Sequence, residues 1–465
     1  MSGLTRRLTA GLVGQGLWRV AVALNAVLLV PVLIAKWGVE LYGQWMTMAA
    51  LVSYLAYANL GLVATASNDL IMAGGAQDLT RAQRSFQMSY NLALLPFPAI
   101  LAALVGIAAL LPFGGWLNLT DIPHSSLLLI LGFGALQLSF ETLRGFTAAV
   151  LYCTGSYGIA YNIAAGAKLI ELASAVLAVG LLGAGPVQLA ALTAAVAFLD
   201  LAVVTWQARK AAPWARLDLR AWDWRWLRDQ MKPALGFSCY NFATQGVLLQ
   251  GPRLVLGAFL GGSAVAIYAV YSTAMRLVDQ LFLSLMAPVG VEISHAAGRG
   301  DSGQVLRLLA VVTQLSLLAL LCVTLLLLGL GPIIFEIWTH HRIEFLHGLM
   351  ALYLVMSAAS LPGRIAAQVL ISVNAMRSIA LATLAIALAA ITLAAGLVQS
   401  FALPGVLVGG IIGEAAISIL IIIALNRWLG LSFNRLAREI GNIRASATQV
   451  LAHARVLLGR QEGPT

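Results

Sequence analysis

Charged residues are scarce in this sequence, and most of them lie outside its long apolar runs. They make up 10% of the 465 residues, while hydrophobic residues make up 60%. A soluble domain is about 25% charged. A chain with so little charge cannot cover a water-exposed surface, so the composition excludes an ordinary soluble globular protein. The sequence predicts a polytopic membrane protein.

Cysteine is nearly absent, with three residues, Cys153, Cys239 and Cys322, spread along the chain. An odd and widely spaced set excludes a disulfide framework and offers no metal-ligand spacing, so we assign all three to packing. No phosphate-binding loop, nucleotide fingerprint or nucleophile elbow occurs. The sequence therefore predicts neither an enzyme nor a bound cofactor or metal.

Basic residues outnumber acidic residues, so the chain has a net charge of +10. In a soluble protein it would suggest nucleic acid. In a membrane protein it indicates arginines that face anionic lipid at the cytoplasmic surface, so we predict membrane lipids as partners and no nucleic acid.

Long apolar runs dominate the rest of the chain. About 20 apolar residues span the hydrocarbon core as a helix, whereas barrel strands are shorter and alternate in polarity. The runs predict an all-α fold with twelve transmembrane helices. We place these helices at 11–35, 41–66, 86–112, 125–151, 159–183, 187–208, 233–259, 262–290, 304–331, 344–371, 379–399 and 404–427.

The loop arginines predict the orientation of these spans. Loops rich in lysine and arginine face the cytoplasm, and the opposite loops carry only Lys36 and Arg342. Both termini are therefore predicted to be cytoplasmic. The segment 209–232 mixes tryptophan with arginine, which is typical of a helix in the headgroup layer; a lipid-substrate entry site is the alternative. The basic amphipathic tail, 428–465, is predicted to lie on the inner surface or to dock a partner.

One hairpin occurs twice in the chain, at 41–84 and 267–307. Tyr42 corresponds to Tyr268 at an offset of 226 residues (268 − 42), and Arg144 to Arg364 at 220 (364 − 144). Two parallel repeats predict two six-helix lobes, 1–208 and 233–427, around a central cavity. Pro31 and Pro252, at corresponding places in the first helix of each lobe, are candidate hinges.

Eleven ionisable residues fall well inside the predicted spans. A charge there costs at least about 2.5–3.5 kcal/mol, so it normally faces a wet cavity or a partner. Three pairs at i,i+3 spacing are predicted to neutralise each other, namely Glu141 with Arg144, Lys168 with Glu171, and Arg276 with Asp279. The others are Arg19, Asp200, Arg253, Arg364 and Glu414.

The basic members of this set are candidate substrate contacts. They are Arg19, Arg144, Lys168, Arg253, Arg276 and Arg364. Arginine forks bind phosphate at two points, so a pyrophosphate group suits such a cavity. The acidic members are candidates for ion coupling, by proton or sodium, or for ion pairing. They are Glu141, Glu171, Asp200, Asp279 and Glu414.

The hairpin also carries a family resemblance. Its sequence resembles the signature of bacterial polysaccharide exporters. The stretches that carry the resemblance are LYGQW, YANLGLVATASNDL and GGAQDLTRAQR, with HAAGRGDSGQVLRLL in the second half. These are the O-antigen and capsule flippases of the multidrug/oligosaccharidyl-lipid/polysaccharide exporter superfamily. The resemblance implies that the chain flips undecaprenyl-pyrophosphate-linked oligosaccharide across the bacterial inner membrane by alternating access, with other polysaccharide-assembly proteins as partners.

Two other functions stay open at this level. An integral-membrane glycan ligase or polymerase needs a large outer loop, and the longest here, about 331–346, is small. A cation-coupled drug exporter of the same superfamily needs acidic sites, and the arginine content disfavours it.

The predicted orientation can be tested by cysteine labelling in a cysteine-free background. Lys36→Cys should react with a membrane-impermeant maleimide in intact spheroplasts, because its loop is predicted to face outward. Arg220→Cys should react only after permeabilisation. The reverse pattern would show that the orientation is wrong.

Overall fold

A computed structural model of the chain describes residues 2–57, 61–75, 77–276, 301–372 and 378–429. The secondary structure in these ranges is helical throughout. Residues 277–300, which include Asp279, and most of the predicted tail lie outside them.

The first half of the described chain contains eight α-helices. They are α1 (Ser2–Ala56), α2 (Leu62–Gly75), α3 (Leu79–Leu94), α4 (Pro96–Ala109), α5 (Phe113–Trp116), α6 (His124–Cys153), α7 (Tyr157–Gly180) and α8 (Pro186–Ala211). The second half continues with α9 (Trp224–Asn241), a π-helix (Phe242–Gln250), α10 (Gly251–Leu260), α11 (262–276 of the described part), α12 (Ser302–Thr339), α13 (His347–Ser372) and α14 (Ala380–Leu429).

Eight stretches of helix in the described ranges are long and apolar enough to cross a membrane. The prediction of an all-helical, multi-pass membrane protein is therefore confirmed. Two of the eight contain a backbone break, at Gly38 in α1 and at Ala402 in α14, so each joins two helical arms. The count of twelve spans and the side of the termini stay predictions.

The chain forms two compact units. Unit 1 comprises Met1–Thr273 with Phe335–Glu344, and unit 2 comprises Ala274–Ile334 with Phe345–Thr465. This division differs from the predicted lobes, because α9, α10 and the start of α11 pack with the first eight helices. The lobe boundaries, as limits of two repeats, stay a prediction.

Small residues allow α1 and α7 to pack closely in unit 1. A Cβ at Gly14 would lie 3.0 Å from the carbonyl of Gly158. Further along, Asn25 donates a hydrogen bond to Glu171 (3.3 Å) and Trp37 donates to the carbonyl of Ala184 (2.9 Å). The contact partners advance together along both helices, so the first arm of α1 and α7 run parallel.

The backbone breaks lie near the two candidate hinge prolines rather than on them. Pro31 lies inside α1, whose non-helical backbone is at Gly38 (φ 79°, ψ 173°). Pro252 is the second residue of α10, which directly follows the π-helix, and Gly261 at the end of α10 has nearly the same conformation as Gly38 (φ 80°, ψ −174°). The two glycines are 223 residues apart (261 − 38), close to the repeat offsets. The hinge roles of the prolines stay predictions.

The break at Gly38 should require glycine. Its φ and ψ lie in a region that is essentially restricted to glycine, where another residue costs about 1–3 kcal/mol. We expect Gly38→Ala to lower the free energy of unfolding by that amount in detergent, measured by thermal unfolding. Gly16→Ala, at a helical position of α1 with open space around it, is the matched control and should not destabilise. Equal stability of both variants would contradict the assignment.

Candidate functional site

A cavity of about 950 Å³ lies within unit 1. It is bordered by the second arm of α1, by α2, α6 and α8, and by α9 with the π-helix that follows it. Its polar and aromatic lining consists of Trp45, Ser53, Tyr57, Ser67, Gln137, Glu141, Arg144, Tyr152, Thr193, Ser238, Asn241, Gln245 and Gln250. Amides and hydroxyls outnumber charges in this lining.

Helical spacing explains why these side chains meet. Gln137, Glu141 and Arg144 follow one another at intervals of four and three residues, so they share one face of α6. Asn241 and Gln245 are four residues apart on the π-helical side. A π-helix is rare and is frequently found at functional sites. Here Gln245 and Gln250 of the π-helix, with Asn241 just before it, line the cavity.

Arg144 forms an ion pair across two helices. Its Nε lies 3.1 Å from Oδ2 of Asp200 on α8, and its Nη2 donates to the carbonyl of Ala160 (3.1 Å). The predicted local pair with Glu141 is therefore wrong. Glu141 instead accepts a hydrogen bond from Gln137 (2.8 Å). The pair with Asp200 neutralises both groups and ties α6 to α8.

Lys168 and Glu171 pair on α7 as predicted. Lys168 Nζ lies 2.9 and 2.7 Å from the two carboxylate oxygens of Glu171, which also accepts the bond from Asn25. This pair lies outside the described lining of the cavity.

The remaining basic candidates occupy different places. Arg253 is buried in α10 and donates to Oε1 of Gln250 (2.8 Å), so it supports a residue that lines the cavity. Arg19 is half-buried on α1, beside Trp18, which packs on Tyr161. Arg276 ends the described part of α11. In unit 2, Arg364 of α13 lies 4.0 Å from Glu414 of α14. Of these candidates, Arg144 is the one that lines the cavity described in unit 1.

Polar contacts tie the turn between α10 and α11 to the α1 break and the α5–α6 loop. Glu40 accepts hydrogen bonds from the amides of Gly262 (2.8 Å) and Ser263 (2.7 Å) and from the Ser263 hydroxyl (2.6 Å). Asn118 donates to the carbonyls of Gly257 (3.1 Å) and Ala258 (2.8 Å). A carboxylate thus caps the positive start of α11 and an amide caps the end of α10. We call these contacts the Glu40 clasp.

A second set of contacts joins the chain around the α2–α3 turn. Asp69 pairs with Arg81, and Arg84 with Asp223. Asn91 donates to the carbonyls of Asp218 (2.8 Å) and Ala221 (3.0 Å). The predicted interfacial linker is therefore held against α3. Its position in the headgroup layer stays a prediction.

The sequence reasoning missed the amides of the cavity and the clasp. It searched the spans for charge and passed over Gln137, Asn241, Gln245 and Gln250, although each interrupts an apolar run. A search for uncharged polar residues in the spans would have found them. The clasp joins residues more than a hundred positions apart and leaves no local pattern.

Comparison with known proteins shows a shared fold. No family model and no curated protein matches the chain. An inward-facing multidrug resistance MATE transporter of the MOP superfamily superposes with a TM-score of 0.71, at 13% identity, over 91% of this chain and 96% of that one. The lipid II flippase MurJ, in an inward closed conformation, gives a TM-score of 0.67 at 11% identity, over 96% and 94%.

A third neighbour has a binding pocket of reverse polarity. It is a MOP-superfamily transporter from Pyrococcus furiosus, described by the reverse polarity of its binding pocket, with a TM-score of 0.61 at 15% identity over 92% of this chain and 94% of that one. The chain therefore has the fold of MOP-superfamily transporters. At these identities the likeness concerns the fold alone.

The Glu40 clasp should contribute measurably to stability. Glu40→Ala removes the carboxylate that caps the start of α11, and loss of such a cap typically costs about 0.5–2 kcal/mol. We expect a lower midpoint of thermal unfolding in detergent. Lys36→Ala, an exposed residue one turn earlier on α1, is the control. If Glu40→Ala and the control unfold alike, the clasp is not a stabilising contact.

Proposed function

We propose that this chain is a flippase of the bacterial inner membrane that moves undecaprenyl-pyrophosphate-linked oligosaccharide from the inner to the outer leaflet by alternating access, for the synthesis of surface polysaccharide. The observation that carries the proposal is the cavity of unit 1, whose described lining is rich in amides, hydroxyls and aromatic rings and includes Arg144. Proton or sodium coupling would drive the movement. Partners would be the lipid-linked glycan and other polysaccharide-assembly proteins.

The lining suits sugar units. Each amide of Gln137, Asn241 and Gln245 carries both donors and acceptors, so it can match a sugar hydroxyl in either role. Trp45 and Tyr57 add flat aromatic faces. The volume of about 950 Å³ falls at the upper end of the range of about 300–1,000 Å³ for ligand sites. A cavity lined in this way favours an extended, uncharged, hydroxyl-rich cargo.

Arg144 is the favoured contact for the diphosphate of this substrate. It lines the cavity, and its planar fork can bridge two phosphate oxygens. Arg253 acts through Gln250, while Arg19, Arg276, Arg364 and Lys168 stay candidates at other points of the path. The undecaprenyl chain would remain in lipid, since only the polar part requires a wet route.

The fold neighbours support transport rather than catalysis. One of them is a lipid II flippase, so this fold accommodates a lipid carrier with a polar head. A ligase or polymerase of lipid-linked glycan is correspondingly disfavoured.

A second candidate function is export of cationic drugs. The specific observation is Glu141, a carboxylate in the lining of the cavity, together with the multidrug MATE neighbours. A cation would be expected to bind Glu141, whereas the glycan proposal places the cargo on the amides. The two functions differ in which variant abolishes transport.

Reconstitution separates these functions. Liposomes with the purified protein and an undecaprenyl-diphosphate oligosaccharide on one leaflet should expose the glycan to an added glycosidase on the other side. Gln245→Ala should slow this exposure, and Glu141→Gln should not. Protein-free liposomes are the control. Export of a cationic dye that depends on Glu141, without glycan movement, would contradict the flippase proposal.

Two arginine variants test in cells whether basic residues outside the described cavity lining contact the diphosphate. Arg19→Ala and Arg364→Ala should abolish surface polysaccharide while the protein stays in the membrane, because each removes a cation that the diphosphate would meet. Arg342→Ala, an exposed residue in a predicted outer loop, is the matched control and should leave the glycan intact. Normal surface polysaccharide in both test variants would remove these arginines from the site.

A further inference from the structure

The same ion pair occurs in each unit of the chain. Arg144 of α6 pairs with Asp200 of α8 at 3.1 Å in unit 1, and Arg364 of α13 pairs with Glu414 of α14 at 4.0 Å in unit 2. The arginines are 220 residues apart (364 − 144) and the acids 214 (414 − 200). In each repeat the pair joins the fourth predicted span to the sixth. A contact that recurs in both halves of a repeat points to a function common to both.

In the ion pair of unit 1, the arginine borders the cavity and the acid does not. Arg144 lines the cavity, whereas Asp200 lies outside the described lining. Asp200 Oδ1 is buried and has no hydrogen-bond partner among the residues that the structure describes. An anion that enters the cavity therefore meets Arg144 on the side away from Asp200.

Asp200 lies in a cluster of charged side chains. Arg144 pairs with it and Glu141 interacts with it from α6, and Lys168 interacts with it from α7. Lys168 and Glu171 already neutralise each other. If Arg144 turns to a new anion, Asp200 and Glu141 remain as two carboxylates beside one paired lysine. A buried charge that loses its partner is strongly unfavourable, so a carboxylate in this position is neutralised by a proton instead.

We propose that Arg144 exchanges Asp200 for a phosphate oxygen of the substrate, and that Asp200 then takes up one proton. The Nε–H···Oδ2 bond is replaced by a bond to the phosphate, and a proton from water converts the carboxylate to a carboxylic acid. No group is oxidised or reduced. The inference rests on the proposed function for the diphosphate and names the proton as its coupling ion.

Linkage fixes the direction of the pH effect. If anion binding takes up a proton, then a proton must equally favour anion binding. The affinity for a diphosphate ligand should therefore rise as pH falls through the range in which Asp200 titrates. Binding without exchange would take up no proton at Asp200.

Calorimetry on the full chain in nanodiscs tests the exchange. The probe is a short-chain prenyl diphospho-N-acetylglucosamine, whose diphosphate diester keeps a constant charge near neutral pH. Titrations in buffers of different ionisation enthalpy count the protons taken up. Wild-type protein should take up protons on binding. Asp200→Asn should bind the probe with about one proton fewer and a weaker pH dependence, and Arg144→Gln should bind it on the order of tenfold more weakly.

The control is Asp121→Asn, which removes an exposed carboxylate that does not line the cavity. This variant should retain the proton uptake of the wild type. Unchanged proton uptake in Asp200→Asn, or unchanged affinity in Arg144→Gln, overturns the proposal. If Asp200→Asn does not fold, infrared difference spectra of the wild type decide, because exchange requires a carboxylic acid band to appear when the probe binds. Absence of that band also overturns it.

Failure of this inference can be told apart from failure of the proposed function. If the liposome assay shows no glycan movement but the probe binds with proton uptake that depends on Asp200, the exchange stands and the cargo is a different diphosphate. If glycan moves while proton uptake is unaltered in Asp200→Asn, the exchange alone is wrong.

Discussion

The cost of placing charge in an apolar phase shapes the interior of this protein. An ionised side chain within the bilayer needs a partner or water, and the structure supplies partners in recurring forms. Lys168 has Glu171 one turn away, and Arg144 has Asp200 on a neighbouring helix. Such pairs contribute little net stability by themselves, since desolvation offsets most of their attraction. These ion pairs instead connect particular helices. Each charged group can also exchange its partner for another group of the same charge.

The same cost explains the chemistry of the cavity. An arginine-lined cavity would be expensive to maintain without its ligand, because each charge would require its own hydration or partner. Amides and hydroxyls cost less to desolvate than charges and still offer donors and acceptors. The described cavity accordingly uses Asn241, Gln245 and Gln137 for most of its polar surface and admits Arg144 only together with Asp200. Among the described residues that line this cavity, Arg144 is the arginine, and Asp200 pairs with it.

Backbone groups obey the same rule at the helix breaks. Where α10 ends at Gly261 and α11 begins, amides and carbonyls lose their helical partners. Glu40 and Asn118 supply replacements across the turn, from residues far away in sequence. These hydrogen bonds join the turn between α10 and α11 to α1 and to the α5–α6 loop.

The shared fold leaves the cargo undecided, because transporters of one fold can carry different ligands. Under the two proposed functions, a glycan would contact Gln245 and its neighbours, whereas a cation would contact Glu141. All of them lie in the same cavity. The choice between the two functions therefore depends on the side chains that meet the ligand.

The amino-acid sequence by itself determined the features that depend on local pattern. Apolar length predicted helices that span a membrane, and spacing of three residues predicted the Lys168–Glu171 pair, because residues three apart lie on one helix face. The same spacing did not predict the partner of Arg144, because an acid on another helix lies closer to it. The repeat predicted that Arg144 and Arg364 correspond. Only the tertiary structure decided that Arg144 pairs with Asp200 rather than with Glu141, that the linker lies on α3, and that Glu40 caps α11. These contacts join residues on different helices, and helical periodicity carries no information about which helices become neighbours.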